Sequence, residues 1–238
     1  MRKRWVIPDI HGCVITLKTL IDEQIKPSRF DEIYFLGDYI DRGPDSKGVI
    51  DYIRKLQEDQ YNITPLRGNH EDFVVELHDA GVNSKFPWFS AFASKKQRSW
   101  FEIGGKDTLR SFGISELRNM PPEYIEWMRK LPYHMKLDDV ILVHAGLNFE
   151  AEDPFSDTES MLWTREYTIK PEITGNRRII HGHVPVNLEL MHMVLQNKSL
   201  LFMDLDNGPY IQDKPGFGNL VALELNSMET VIQDNRDY

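Results

Sequence analysis

The chain has 238 residues, of which 41% are hydrophobic and 27% charged, a composition typical of a folded globular protein rather than a disordered one. Its 28 basic and 37 acidic residues give a formal net charge of −9, which argues against a nucleic-acid-binding protein but not against one that acts on a phosphorylated substrate. Cys13 is the single cysteine and no apolar run is long enough for a signal peptide or a membrane span, so we expect no intrachain disulfide, no membrane insertion and a cytoplasmic location.

The first half of the chain alternates short apolar runs with stretches whose apolar residues recur at helical spacing. The predicted strands are Trp5–Ile7, Ile33–Leu36 and Ile63–Leu66. A helix follows each of them, and the second helix is expected to start after Pro44 with Asp45 or Ser46 as its N-cap. This alternating order predicts a parallel sheet with crossover helices.

The second half begins with a helical stretch and then becomes rich in strands. Residues 81–132 predict a helical insertion in which the aromatic cluster from Trp88 to Phe101 is expected to pack in a core, and a further helix begins at Pro121-Pro122. The later predicted strands are Val140–Val143, Ile179-Ile180, Leu200–Met203 and Leu220–Leu225. We predict one α/β domain spanning residues 1–238, with the helical insertion at about 81–132.

Polar residues of a restricted kind follow five of the predicted strands. These segments are Asp9-Ile10-His11-Gly12, Gly37-Asp38-Tyr39-Ile40-Asp41-Arg42-Gly43, Arg67-Gly68-Asn69-His70-Glu71, His144-Ala145-Gly146 and His181-Gly182-His183. Ligands of open α/β sheets bind at the carboxyl ends of the strands, where these segments are expected to meet. Mixed imidazole and carboxylate ligands suit manganese, iron, zinc or nickel, and the set is large enough for two ions.

Each segment also has an ordinary structural interpretation when it is taken alone. Asp38 and Asp41 could form an Asx turn, and Asn69 could cap a helix. Metal-ligand residue types after five successive apolar runs are not expected from independent turns, and this joint pattern favours a metal centre over structural turns.

These motifs resemble those of the PPP family of metallophosphatases, a branch of the calcineurin-like phosphoesterases. The resemblance rests most on Gly37–Gly43 and Gly68–Glu71, and the motifs run from Asp9 to about Gly208. Two further stretches, Trp100–Gly113 and Trp163–Glu166, match the smaller bacterial members. The resemblance implies a sandwich of two mixed β-sheets flanked by helices.

The resemblance also implies a role for each site residue. Asp9 and His11 would bind a first divalent ion, Asp38 would bridge both ions, and Asn69, His144 and His183 would complete the second; manganese is the first choice for the pair. Arg42 and Arg165 would bind the phosphoryl oxygens, with Asn69 beside them, and His70, oriented by Asp41, would be the general acid. Hydroxide bridging the ions would attack phosphorus in a single step, with no covalent phosphoenzyme.

Two departures from the family pattern stand out. Pro8 replaces the usual glycine before Asp9, and Tyr210–Lys214 forms an insertion at the rim of the site to which the sequence assigns no function. His181 is expected to lie behind the metal ligands rather than among them.

The motifs bind phosphate and metal for more than one substrate. The first candidate substrate is phosphoserine or phosphothreonine in proteins, and the second is a symmetrical dinucleoside tetraphosphate. We expect residues 81–132 and 148–178 to determine which of the two substrates binds. The remaining alternative is a non-catalytic phosphate-binding module, which the retention of all the motif residues disfavours.

Overall fold

Two mixed β-sheets form the centre of the fold, and helices flank them. The computed structural model describes the backbone of residues 2–82 and 87–238, and the side chains of these residues outside 81–94. In chain order, the strands are β1 (Arg4–Ile7), β2 (Glu32–Phe35), β3 (Asn62–Pro65), β4 (His134–Lys136), β5 (Val140–Val143), β6 (Arg178–His181), β7 (Phe202–Asp204), β8 (Asn219–Glu224) and β9 (Glu229–Asp234). This architecture confirms the predicted fold class.

The helices are α1 (Val14–Lys18), α2 (Ser46–Glu58), α3 (Asn69–Val82), α4 (Pro87–Glu102), α5 (Gly105–Ser111), α6 (Pro122–Arg129), α7 (Thr158–Trp163), α8 (Pro171–Thr174) and α9 (Leu188–Gln196). A π-helix, Thr19–Ile25, continues α1, and a 3₁₀ turn occupies Leu117–Asn119. Asp45 is the N-cap of α2, because its side chain accepts the backbone N–H of Gly48 at 2.8 Å. Within the described residues, no helix combines the length and the apolar character that crossing a membrane requires.

The first sheet has the strand order β3-β2-β1-β8-β9, and the second has the order β4-β5-β6-β7. β1, β2 and β3 are parallel, as the alternating strand and helix pattern predicts, and so are β5, β6 and β7. β8 is antiparallel to β1 and β4 is antiparallel to β5, which makes both sheets mixed. The carboxyl ends of two sets of parallel strands therefore present the loops that carry the motifs.

Alternating side chains of the strands build separate cores on the two faces of the first sheet. In β1, Trp5 and Ile7 point into the core beneath the helices, whereas Val6 points into the core shared with the second sheet. Leu142 of β5 and Ile180 of β6 reach the shared core from the other side. The apolar runs of β1, β2 and β5 are thus explained by strands that are buried on both faces.

The predicted helical insertion contains α4, α5 and α6, with residues 83–86 lying outside the described residues. Trp100 is fully buried in the core beneath the helices, as expected for the aromatic cluster, and Phe101 packs against that core. The side chains of Trp88, Phe89 and Phe92 lie outside the described ones.

Candidate metal centre

Loops after β1, β2, β3, β5 and β6 converge on one site with unusual backbone geometry. Five non-glycine residues of these loops have left-handed φ values: His11 (47°), Asp38 (52°), Asp41 (69°), Arg42 (68°) and His183 (77°). L-residues rarely adopt this conformation, and such strain clusters at functional sites. The loops also pack backbone on backbone, since a Cβ on Gly43 would lie 2.0 Å from the carbonyl oxygen of His11. The glycine of this motif is therefore required by the close approach of two loops.

The carboxylate of Asp38 lies at the centre of the site. Its Oδ2 atom is 3.6 Å from His11 Nε2, 3.7 Å from His70 Nε2 and 3.6 Å from His144 Nε2. These separations are too long for hydrogen bonds, yet they fit pairs of ligands around a shared cation, for which metal–ligand distances are about 2.0–2.2 Å. Two groups of convergent donor atoms share Asp38: one with His11 and His70, the other with His144 and His183.

The imidazoles are held in the tautomer that suits metal binding. His11 Nδ1 donates to the carbonyl oxygen of Ile40 at 2.9 Å, and His144 Nδ1 donates to that of Leu36 at 3.0 Å. Each Nε2 lone pair therefore faces the site, a support typical of metal-ligating histidines. Burial lowers the pKa of both His11 and His144, which keeps them neutral as ligands must be.

Asn69 completes the second group of donors. Its Oδ1 atom lies 2.8 Å from His144 Nε2 and 3.0 Å from His183 Nδ1. With Nδ1 of His144 donating elsewhere, Nε2 and Oδ1 face each other as two acceptors, a contact that a cation between them would stabilise. In addition, the buried Nε2 atom of His183 lacks a hydrogen-bond partner among the described residues. The donor set fits a divalent cation.

Asp9 lies at the edge of this arrangement and belongs to neither convergent group. Its two oxygens accept the backbone N–H of His183 at 3.2 and 3.1 Å, and Oδ1 is 4.0 Å from His144 Nδ1. Burial, together with the nearby carboxylates of Asp206 and Asp38, raises the pKa of Asp9 well above its ordinary value. The raised pKa reflects repulsion between carboxylates that share a buried space, and a cation bound among them would relieve that repulsion.

Asp206 is a buried site residue to which the sequence assigned no role, although it lies within the range of the family motifs, which run to about Gly208. Its Oδ1 atom accepts the backbone N–H of Gly208 at 2.7 Å. Burial, aided by the negative charge of Asp38, raises the pKa of Asp206 to about 7, while the Gly208 N–H and Arg42 act in the opposite direction.

His70 is oriented by a buried network rather than by solvent. His70 Nδ1 donates to Asp41 Oδ2 at 2.7 Å. The indole N–H of Trp100 donates to both oxygens of Asp41, at 3.1 and 3.0 Å, and Thr108 donates to Oδ1 at 2.5 Å. Burial alone would lower the pKa of His70, but the carboxylates of Asp38 and Asp41 outweigh burial and raise it above its ordinary value. The Nε2 atom of His70 therefore faces the pocket, and the two carboxylates favour the protonated ring.

Glu71 holds the backbone of the Asp38 loop, a role that sequence reasoning missed. One oxygen of its buried carboxylate accepts the N–H groups of Asp38 (2.9 Å) and Gly68 (3.1 Å). The other accepts those of Tyr39 (2.8 Å) and Ile40 (3.3 Å). Four backbone donors thus converge on one side chain, which fixes the strained turn at Asp38.

A pocket of about 190 Å³ opens onto the Asp38 groups and contains both predicted phosphate-binding arginines. It is lined by His11, Asp38, Arg42, Asn69, His70, Ile103, Trp163, Arg165, His183, Val184, Pro185 and Tyr210. Arg42 and Arg165 are both exposed at this pocket, so their guanidinium groups are available to an anion. His181 does not line this pocket, and its Nδ1 contacts the carbonyl oxygen of Gly182 at 3.1 Å.

A family model described as calcineurin-like phosphoesterase matches residues 2–200. The chain belongs to the calcineurin-like phosphoesterase family. This membership and the Asp38 groups agree with a metallophosphoesterase that uses divalent metal ions. The family match confirms the family resemblance that the sequence motifs indicated.

Relatives of this metallophosphoesterase carry two different functional names. The chain is 25% identical to serine/threonine-protein phosphatase 1 of Salmonella typhimurium over 93% of its own length and 91% of the relative's. It is 29% identical to the symmetrical bis(5′-nucleosyl)-tetraphosphatase of Pectobacterium carotovorum over 74% of its own length and 60% of the relative's. The chain therefore spans less than two thirds of the length of that tetraphosphatase.

Solved structures share the fold at low sequence identity. A protein serine/threonine phosphatase from Saccharomyces cerevisiae superposes with a TM-score of 0.66 at 17% identity, covering 100% of this chain and 81% of that one. A protein-tyrosine phosphatase of a Shewanella species superposes with a TM-score of 0.61 at 16% identity, covering 98% and 81%.

Proposed function

We propose that this metallophosphoesterase hydrolyses phosphoserine and phosphothreonine esters of proteins. The observation that carries the proposal is the arrangement of one pocket, in which the buried His70–Asp41 pair, at 2.7 Å, and two arginines face the Asp38 groups. An acid for the leaving group, cations for the phosphoryl oxygens and a metal centre are the parts that phosphoester hydrolysis needs.

Six residues would hold two divalent ions, for which manganese is the first choice. Asp9 and His11 would bind one ion, Asn69, His144 and His183 the other, and Asp38 both. Asp9 lies outside the two convergent groups, so its assignment rests on the family resemblance. His70 lies in the first group but is assigned the role of acid because its Nδ1 is paired with Asp41. When bound, the ions supply positive charge and lower the pKa of water, so that hydroxide is present near neutral pH.

The two arginines and the acid act on the substrate itself. Arg42 and Arg165 would hold the phosphoryl group by charge-assisted hydrogen bonds, with Asn69 lining the same pocket. As the phosphorus–oxygen bond of the ester breaks, His70 would donate its Nε2 proton to the departing alkoxide, and Asp41 would hold the ring in place. Displacement in one step predicts inversion at phosphorus.

The protein substrate is supported by the length match, whereas the pocket fits the phosphoryl group of either substrate. The chain aligns with 91% of the serine/threonine phosphatase but with 60% of the Pectobacterium tetraphosphatase. The pocket has a volume of about 190 Å³, and Trp163, which lines it and is partly exposed, offers an apolar surface to the group that carries the phosphoryl. Symmetrical dinucleoside tetraphosphate is the second candidate, favoured by the higher identities of those relatives, 29% and 32%.

The test compares manganese-dependent hydrolysis of phosphoserine and phosphothreonine peptides with that of diadenosine tetraphosphate, using Asp38→Asn as the inactive control. A higher kcat/KM for the peptides supports the proposal. A higher value for the dinucleotide replaces it with tetraphosphatase activity, and activity on neither substrate contradicts both assignments.

A further inference from the structure

We propose that Tyr210 is a positioning residue that holds the guanidinium of Arg42 at the metal centre. This inference rests on the proposed function of the pocket but not on the choice between protein and dinucleotide substrates. Tyr210 is the first residue of the insertion Tyr210–Lys214. It lines the same pocket as Arg42 and His70.

Tyr210 contacts Arg42 in two ways. Its hydroxyl accepts a hydrogen bond from Arg42 Nη1 at 2.9 Å, and the guanidinium carbon lies 4.5 Å from the centre of its ring. The ring also meets His11 edge to face, with the ring centres 4.9 Å apart. Tyr210 therefore contacts both Arg42, the proposed phosphate-binding residue, and His11, a proposed metal ligand.

The contact orients Arg42 without neutralising it. Among the described residues, the phenol of Tyr210 is the one side chain that accepts a hydrogen bond from this guanidinium, and no carboxylate forms an ion pair with it. A carboxylate partner would compete with the phosphoryl group for the positive charge of Arg42, whereas a phenol leaves that charge available. A long side chain held in place also loses less conformational entropy when the anion binds.

Close backbone contacts restrain the segments that carry Tyr210 and Arg42. The backbone N–H of Ile211 donates to the carbonyl oxygen of Gly208 at 2.8 Å, and a Cβ on Gly218 would lie 2.6 Å from the carbonyl oxygen of Ile211. On the other side, Gly104 packs against the Arg42 backbone so tightly that a Cβ there would lie 2.3 Å from the Arg42 nitrogen. The side chain of Tyr210 is thus presented by an anchored turn, while Gln212, Asp213 and Lys214 are exposed.

A double-mutant cycle tests whether Tyr210 acts through Arg42. The dissociation constant of orthophosphate is measured by calorimetry on the manganese-loaded protein for wild type, Tyr210→Ala, Arg42→Ala and the double variant. Tyr210→Ala is expected to weaken phosphate binding about tenfold in the wild-type background and to have no further effect in the Arg42→Ala background. Tyr210→Phe, which keeps the ring, is expected to fall between wild type and Tyr210→Ala.

Gln212→Ala, in the exposed part of the same insertion, is the matched control, and bound manganese and circular dichroism report on folding. An equal effect of Tyr210→Ala in both backgrounds would overturn the proposal, as would no effect in either. Hydrolysis of p-nitrophenyl phosphate by the wild-type protein is measured in parallel. Its absence would count against the proposed function, while the phosphate-binding cycle would still decide the role of Tyr210.

Discussion

His70 Nδ1 lies 2.7 Å from Asp41 Oδ2, and both side chains are buried. The pair fixes which ring nitrogen of His70 faces the pocket, and the negative charge of Asp41 favours the protonated ring. Trp100 and Thr108 in turn fix Asp41. A histidine held in this way fits the proposed role of an acid that protonates the leaving group.

The first prediction concerns that acid. His70→Asn should lower kcat on a phosphoserine peptide by about 10²–10⁴-fold, because an alkoxide leaving group needs a proton. The loss should be much smaller on p-nitrophenyl phosphate, whose leaving group is a weaker base. Steady-state kinetics on both substrates measures the difference, with the exposed His192→Asn as control. Equal losses on the two substrates would show that His70 does not protonate the leaving group.

The second prediction concerns pH. Because His70 must be protonated to act as an acid, kcat on the phosphoserine peptide should fall as pH rises through its pKa, which the hydrogen-bonded carboxylate of Asp41 raises. Asp41→Asn removes a negative charge that raises this pKa, so the falling limb should move to lower pH. The measurement is a pH profile of kcat from about pH 5 to 9 for both proteins. An unmoved limb would rule out the His70–Asp41 pair as its origin.

The third prediction concerns metal binding. Asp38→Asn removes the carboxylate shared by both groups of donors, so the affinity for Mn²⁺ should fall about 100-fold or more at both positions. Calorimetric titration of the chelator-stripped protein measures this affinity. Asp59→Asn, which changes a partly exposed aspartate in an ion pair with Lys55, is the control and should bind as wild type does. Unchanged binding by Asp38→Asn would place the metal elsewhere.

The fourth prediction concerns the support of the Asp38 loop. Glu71→Ala leaves four backbone N–H groups without their acceptor and should destabilise the metal-free protein by about 3 kcal/mol. Glu71→Gln keeps one acceptor oxygen and should destabilise the protein less than Glu71→Ala does. Denaturant unfolding of the stripped proteins measures both changes. A change of less than about 0.5 kcal/mol for Glu71→Ala would mean that the loop does not depend on this carboxylate.

The strands and the motif residues were predictable because both depend on local sequence. Val6 and its neighbours in β1 predict a buried strand, and a polar motif at its end predicts a site at the carboxyl edge of the sheet. The N-cap of α2 was also predictable, since Asp45 precedes the apolar repeat and follows Pro44. The roles carried over to the ligands from the family resemblance stay predictions.

Long-range contacts were not predictable in this way. Glu71 looks like an ordinary first-turn residue of α3, and only the fold brings the N–H groups of the Asp38 loop to its carboxylate. Tyr210 lies in an insertion that follows no family pattern, 168 positions from Arg42 along the chain. Strands β4 and β9 were missed because the first has three residues and the second is mostly polar. The π-helical continuation of α1 leaves no signal in the apolar spacing.

The central claim is that phosphoester hydrolysis depends on cations bound around Asp38. Its most direct test is to titrate the chelator-stripped protein with Mn²⁺ while following hydrolysis of p-nitrophenyl phosphate and measuring bound manganese by elemental analysis. We predict no turnover by the stripped protein, turnover that saturates at two bound ions per chain, and none for Asp38→Asn at any Mn²⁺ concentration tested. Turnover that survives chelation, or that Asp38→Asn retains, would contradict the account.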